Sequence, residues 1–491
     1  EGTYPYVTGG VSSWAHQLIL NQPHLNFSLI CILAAGAKTN TKYSIPENVL
    51  EVHHLYLALP KNQKKTRGSF WGKKKDTEFQ SLFGTLYRAF KNIMEGKNSL
   101  GDLTEIIGAL DGLNFPITPE FLIESDYAWA FLEKFYYEEN YQHVSFLNFY
   151  WTWRGILISF YAVLFMALPK AKIYHSLCTG YAGLLLSIAH IKTGKPTLLT
   201  EHGIYTNERR IELATAEWLK DKDNVNLNIF DHSRKEIKML WLNFFSALSH
   251  YVYTSSNEII TLYYGNFILQ LEDGAHIDKL SVISNGIDLE RFKNIKKEAG
   301  PPTIALIGRV VPIKDIKTFI HTVKIISEHI PNLRAWVMGP TEEDTEYYEE
   351  CKALVDYLNL GQVLEFTGMV SIDEYLPKID IIMLSSLSEV QPLTVLEAGA
   401  CGIVPVTTDV GACREMIEGR SGEFPALGKG GFVCDLSDAK ALAEASVLLL
   451  TDPVLYQKCS KILKDRIKQH YDVTIQHKAY HDVYQKYRSV G

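Results

Sequence analysis

Two glutamates bracket a proline in Ser385-Ser386-Leu387-Ser388-Glu389-Val390-Gln391-Pro392-Leu393-Thr394-Val395-Leu396-Glu397-Ala398. The apolar run 379–384 just before it reads as a buried strand. Pro392 suits the first turn of a helix, where no amide donor is needed. Glu389 then sits in the loop ahead of the helix, and Glu397 about one and a half turns inside it. The amides of Leu393, Thr394 and Val395 point out of the helix start, which suits a diphosphate. Carboxylates on either side can accept from sugar hydroxyls. Two glutamates at this spacing also occur by chance on solvated helix starts. The strand before them and the placed proline favour binding.

A second constellation is Gly308-Arg309-Val310-Val311-Pro312-Ile313-Lys314-Asp315, directly after the apolar run 303–307. Both cations follow the carboxyl end of a strand. An arginine forks onto phosphate oxygens, and a lysine supplies a compact point charge. Fixed cations stabilise a departing diphosphate without a metal ion. Alone, the pair would read as surface residues capping a loop; beside the glutamates it does not.

Three shorter motifs accompany these. Tyr6-Val7-Thr8-Gly9-Gly10-Val11-Ser12-Ser13-Trp14 places Gly9 and Gly10 before a helix, where a bare backbone lets phosphate or sugar approach. Thr200-Glu201-His202-Gly203-Ile204-Tyr205 puts His202 at a strand end in the first half. Thr408-Asp409-Val410-Gly411-Ala412 is a turn whose Gly411 amide can meet a donor sugar. A lone Gly-Gly, or a single histidine, is more often structural.

Positioning these residues requires strands that alternate with helices. In the second half, strands are predicted over 303–307, 333–338, 363–366, 379–384, 404–407 and 431–434, with helices over 315–329 and 346–358. Such alternation implies a parallel sheet covered on both faces, with ligands beyond the carboxyl ends of its strands. The first half repeats the theme at 27–34, 53–57, 172–175, 197–200, 251–254 and 281–284. Between about 61 and 169 the pattern becomes basic, then rich in aromatics, and predicts a mainly helical insertion. The expected class is α/β: two doubly wound Rossmann-like domains facing a cleft. The expected domains are 1–292, 301–470 and a last helix, 471–491, crossing back to the first, with a join at the polar segment 293–302.

Composition narrows the class. The 491 residues allow roughly two to four domains. Apolar residues form 46% and charged ones 21%, which is globular and not disordered. The net charge of −7 argues against general nucleic-acid binding. The 7 cysteines are odd in number and contain no C-x-x-C, so buried thiols are expected. The apolar stretch 155–168 falls short of the roughly 20 residues that span a bilayer, and a buried helix is expected there. No signal-peptide pattern opens the sequence, and 2–5 reads as a loop, so a short apolar strand is expected ahead of Glu1.

Other chemistries lack their signatures. There is no G-x-x-x-x-G-K-[ST], no H-E-x-x-H and no G-x-S-x-G. Asp221-Lys222-Asp223 is a D-x-D, but it sits in a hydrophilic run and reads as a solvated loop. The acidic cluster 342–350 reads as a wet helix face.

Taken together, Gly308-Arg309 with Lys314, Glu389-x7-Glu397 and Thr408-Asp409-Val410-Gly411 resemble the retaining GT-B glycosyltransferases of the GT4 family. The stretches 1–14, 200–205, 262–266 and 283–288 extend the likeness to PelF-like transferases of Pel exopolysaccharide synthesis. The resemblance implies a UDP-sugar donor on the second domain, UDP-glucose first with UDP-GalNAc or UDP-GlcNAc as alternatives, and a glycan acceptor on the first. It implies that Arg309 and Lys314 hold the diphosphate, Glu389 meets the donor sugar, Glu397 meets the ribose, and His202 lies near the reacting sugar. It further implies no cofactor, no metal, a cytoplasmic site and inner-membrane Pel synthase proteins as partners. A nucleotide-sugar-binding scaffold without turnover, and a phosphorylase with pyridoxal phosphate, are the rival readings. A glycosidase is disfavoured because its paired carboxylates flank one glycosidic bond at about 5–10 Å.

Overall fold

The structure, a computed structural model, describes residues 4–59, 73–97, 99–207 and 227–488, with the backbone alone at 73, 74 and 227–235. Glu1-Gly2-Thr3, the basic start of the insertion at 61–72 and Asp221-Lys222-Asp223 lie outside the described residues. The chain divides into two compact units. The first holds Glu1–Thr261, Leu269–Ser281 and His481–Gly491, the second Leu262–Ile268 and Val282–Tyr480.

The second unit is built on six strands: β7 (Thr303–Ile307), β8 (Arg334–Met338), β9 (Leu364–Gly368), β10 (Ile381–Leu384), β11 (Val404–Thr408) and β12 (Phe432–Cys434). Their order across the sheet is β12-β11-β10-β7-β8-β9, and every pairing is parallel. The chain therefore winds outward from β7 to β9, returns, and winds the other way from β10 to β12. Strand order reverses between β7 and β10, the place where exit loops splay apart and ligands bind in such sheets. Both faces are covered. Ile304, Leu306, Val337 and Met383 face the helices Ile316–His329 and Ala439–Thr451. Ala305, Trp336, Ile382 and Leu384 face Leu393–Cys401 and Pro453–His470.

In the first unit, β1 (Phe27–Leu33) pairs with β2 (Val49–Tyr56), and β3 (Tyr174–Ser176), β4 (Thr197–Glu201), β5 (Glu258–Thr261) and β6 (Leu280–Val282) form a second sheet. A cavity of about 750 Å³ lies against the edges of β1 and β3 that pair with no strand among the described residues. Leu29, Ile30, Tyr174 and His175 line it, with Trp14 and Leu18 from the helix Gly10–Leu20.

The insertion is helical: Lys73–Met94, Leu100–Asp111, Pro119–Glu124, Asp126–Glu138 and Phe146–Leu164. Caps set the boundaries. Thr118 and Ser125 accept the amides of Phe121 and Ala128, and Pro119 opens its helix. Trp153 is buried at the centre, with ring centroids 4.4 Å from Phe135 and 5.4 Å from Phe90. The apolar stretch expected as a buried helix forms one from Phe146 to Leu164, and 165–168 lie beyond its end. Among the described residues no helix is long and apolar enough to cross a membrane.

Three expectations need correction. The strand expected at 251–254 is the last turn of the helix Leu227–Ser255. Leu240, Phe244, Leu248 and Tyr251 are all buried, so helical spacing of the core contacts overrides the β propensity of Tyr-Val-Tyr-Thr. The strand comes next, as β5. The acidic cluster is not wholly a helix face, because the helix starts at Thr345 and Glu342 and Glu343 precede it. All seven cysteines are free, but Cys178, Cys401 and Cys434 are only half-buried, since each lies at or beyond the end of its element.

A buried ion pair locks the second unit. Arg466 is 1% exposed and grips Glu423 with two bonds, Nε to Oε1 at 2.7 Å and Nη2 to Oε2 at 2.9 Å. It also donates to the carbonyls of Ile417 and Gly428, both at 2.6 Å. Removing one partner strands the other charge in the core. Arg466→Met should destabilise the protein by about 3–5 kcal/mol, read as a lower thermal midpoint at pH 7. Hydrogen bonding from Arg466 holds the Glu423 carboxyl below its ordinary 4.5, so its contribution is present above that pH and is lost as acid protonates it. Glu423→Gln should therefore lower the midpoint at pH 7 and converge on wild type in acid. An unchanged midpoint at pH 7 would remove the pair from the account.

Candidate functional site

The exit loops of β7 and β10 are laced together. Ser385 Oγ donates to the carbonyls of Lys314 and Asp315, both at 3.0 Å, and Leu387 N donates to Ile313 O at 2.9 Å. The β11 exit joins them. Thr408 Oγ1 donates to Ser386 O at 2.7 Å, and Ala412 N to Val390 O at 2.8 Å. Gly411 has φ +53°, and a Cβ there would lie 2.2 Å from Val390 O and 2.4 Å from Glu389 O. No other residue fits that approach, so Gly411 holds the Glu389 loop against β11.

At the centre of this lacing Lys314 Nζ pairs with Glu389 Oε1, and Ser386 Oγ donates to the same oxygen at 2.7 Å. The two side chains are 18% and 13% exposed, so the pair is largely withdrawn from water. Arg309, two residues past β7, is more open. Its Nη1 meets Glu343 Oε1 at 2.5 Å, with both side chains about half exposed. Such a pair is weak and exchangeable. Glu343 reaches Arg309 because the β8 exit crosses that of β7: a Cβ at Gly339 would lie 2.1 Å from Gly308 O.

The helix Leu393–Cys401 starts beside these groups, with Pro392 as its N-cap and not its first residue. Val395 N donates to Pro392 O at 3.1 Å, so this amide is taken, contrary to the sequence expectation. Leu393 and Thr394 supply the amides at the open end. Glu397 lies further along the same helix. Burial pushes its carboxyl up, while Arg291, with Nη1 at 4.0 Å from Oε1, pulls it down.

Sequence reading missed Ser386, Glu343, Arg291 and Gln391. Gln391 clamps Asn285 at two points, Oε1 from its amide at 2.8 Å and Nε2 to its carbonyl at 3.0 Å. Nothing in their spacing marks these residues. Only the fold brings their loops together.

Arg309, Lys314, Glu389, Leu393, Thr394, Glu397 and Gly411 all belong to the second unit, and Gly9, Gly10 and His202 to the first. There, Gly9 caps the helix Gly10–Leu20, and a Cβ at either glycine would meet nothing within 4 Å. Trp14 of that helix meets the His202 ring edge-on at 4.6 Å. Burial lowers the His202 pKa to about 4, so its imidazole is neutral at pH 7. It can exchange hydrogen bonds but carries no positive charge. The preceding Glu201 is 1% exposed and accepts from Tyr253 Oη at 2.7 Å, Gln270 Nε2 at 2.8 Å, Thr179 Oγ1 at 3.1 Å and Tyr205 N at 3.3 Å. Tyr253, Gln270 and Thr179, from three other segments, thus fix the strand end that carries His202.

The family profile described as Domain of unknown function (DUF3492) matches residues 1–278, and the one described as Glycosyl transferases group 1 matches residues 288–466. The chain is 26% identical over 242 residues to the UDP-Gal:alpha-D-GlcNAc-diphosphoundecaprenol alpha-1,3-galactosyltransferase of Escherichia coli, covering 45% of this chain and 57% of that protein. It is 26% identical over 208 residues to the glycogen synthase of Mycobacterium tuberculosis, covering 40% of this chain and 46% of that one. The chain thus spans about half the length of the curated relatives it matches. Among solved structures, HepE of Anabaena in complex with UDP aligns with TM-score 0.50 at 14% identity, over 64% of this chain and 79% of that one. Sucrose-phosphate synthase of Thermosynechococcus elongatus aligns with TM-score 0.50 at 17% identity, over 65% and 74%. These likenesses, with the parallel sheets described above, identify the GT-B fold. The chain belongs to the DUF3492 family, and its second half is a glycosyl transferases group 1 domain.

Proposed function

We propose that the protein is a retaining, metal-independent hexosyltransferase that moves a sugar from a UDP-sugar to the hydroxyl of a glycan acceptor. The supporting observation is the convergence of Lys314, Glu389 and the open start of Leu393–Cys401 at the point where strand order reverses. In this reading the diphosphate lies on the amides of Leu393 and Thr394, between Lys314 and Arg309. It displaces Glu343 from Arg309, an exchange that a half-exposed pair permits. Glu389 binds the donor sugar, and Glu397 the ribose. The relative whose name specifies UDP-Gal, and the UDP complex of HepE, favour UDP as the nucleotide.

Transfer proceeds on one face of the sugar. The bond from the anomeric carbon to the β-phosphate oxygen lengthens, and Lys314, Arg309 and the helix amides take up the charge gathering on the diphosphate. The acceptor oxygen bonds to the anomeric carbon from the same side. Its proton passes to the leaving phosphate oxygen, giving UDP and a product with retained configuration. Gly9, Gly10 and neutral His202, on the first unit, are assigned to the acceptor. We assign UDP-glucose as the donor, with UDP-GalNAc and UDP-GlcNAc as alternatives. The place of action is Pel exopolysaccharide synthesis in the cytoplasm, beside inner-membrane synthase proteins. The support for that place is the likeness of the opening residues to PelF-like proteins.

Two measurements test the reading. In a panel of nucleotides and nucleotide sugars, UDP and one UDP-sugar should raise the thermal midpoint, and UDP should be released when a glycan acceptor is added. Lys314→Ala and Glu389→Ala should each slow that release by about 10²-fold or more. Wild-type rates in either variant would remove that residue from the site, and binding without release would indicate a scaffold. Excess EDTA should leave the wild-type rate unchanged. Loss of activity restored by magnesium or manganese would overturn metal independence.

A further inference from the structure

Arg291 stands outside every motif that the chemistry above uses. It belongs to the four-residue helix Leu289–Phe292, capped by Asp288, whose Oδ1 accepts the amide of Glu290 at 3.0 Å. Its guanidinium forks onto Asp373, Nη2 to Oδ1 at 2.8 Å and Nε to Oδ2 at 3.4 Å. The remaining terminal nitrogen, Nη1, faces Glu397 Oε1 at 4.0 Å. One cation thus addresses two carboxylates on two other elements. The fork to Asp373, on the helix Ile372–Tyr375, fixes the plane of the guanidinium and hence the direction of Nη1. All of these residues lie in the second unit.

Glu397 is 22% exposed, so its charge is only partly hydrated. Burial raises its pKa, Arg291 lowers it, and Asp373 raises it again. The other groups facing this cluster are Asp288, which acts on Arg291, and Cys401 on Glu397's own helix. Burial lifts the Cys401 thiol to about 11, so it is neutral at pH 7. Lys464, on the helix Pro453–His470, acts on Cys401. Among the described residues Arg291 is therefore the cation that acts on the Glu397 charge.

We propose that Arg291 is a positioning residue that keeps Glu397 ionised and oriented to accept hydrogen bonds from the two hydroxyls of a nucleotide ribose. This rests on the proposed function, in which Glu397 meets the ribose of the donor. A vicinal diol offers two donors, and an ionised carboxylate offers two acceptor oxygens. Protonation turns one of them into a competing donor and breaks the match. Asp373 orients Arg291 and also opposes the Glu397 charge, so the two partners act on Glu397 in opposite directions.

The test is calorimetric titration of UDP into the full chain from pH 5.5 to 8.5. Wild type should bind UDP with an affinity that falls on the acid side. In Arg291→Gln that fall should move to higher pH, giving weaker binding than wild type on the acid side and near-wild-type binding at pH 8.5. Arg291→Lys, which keeps the charge, should restore much of the acid-side affinity. An identical pH profile in Arg291→Gln, or a loss equal at every pH, would overturn the positioning role while leaving the nucleotide site standing. Absence of UDP binding by wild type at every pH would overturn the nucleotide reading itself, and this role with it.

Discussion

The reversal of strand order between β7 and β10 is the constraint on which the candidate site depends. Two neighbouring parallel strands leave the sheet at the same end, and their loops must part in opposite directions. Lys314 comes from one loop and Glu389 from the other. Their ion pair, with Ser386 on the same oxygen, spans the parting of the two loops. A lysine and a glutamate withdrawn from water hold each other well only if the backbone beneath them is fixed. Ser385, Leu387, Thr408 and Gly411 supply that fixing through main-chain contacts. The pair is thus a product of topology before it is a property of two side chains.

Arg309 illustrates the complementary case. It occupies the same loop as Lys314 but lies near its exposed margin, where Glu343 meets it in water. Solvent screens this contact, and little free energy is needed to exchange it for a stronger anion. A withdrawn pair and an exchangeable pair thus arise from cations of one loop. The first spans the two loops, and the second can exchange its partner for another anion. In the first unit the buried Glu201 plays the fixing part, with four neutral donors in place of a cation.

Much of the second unit was legible in the sequence because its signals are local. Apolar runs alternating with amphipathic stretches mark β7 to β12, and turn residues mark their ends. Arg309, Lys314, Glu389 and Gly411 could be picked out since each lies in the loop after a strand, and Glu397 since it falls inside the helix that Pro392 opens. What was not legible was non-local. Glu343 comes from the β8 exit, Arg291 from the segment before β7, and Gln391 finds Asn285 across more than a hundred residues. The missed β5 has a different cause. Its apolar residues follow a long helix whose last turn carries Tyr251-Val252-Tyr253-Thr254, and β-branched and aromatic types there imitate a strand. Only burial at helical spacing reveals that turn. The amide of Val395 was misjudged because the helix starts one residue later than the proline rule suggests, and a tight first turn consumes it.

The central claim is that protein cations and helix amides alone hold a nucleotide diphosphate. The most direct measurement compares calorimetric titrations of UDP and of uridine into the chelator-treated protein. The two ligands differ only in the diphosphate. UDP should bind at least about 10²-fold more tightly than uridine with no divalent ion present, a difference typical of charge-assisted contacts to phosphate. Equal affinities, or a UDP preference that emerges only when a divalent cation is added, would contradict the account.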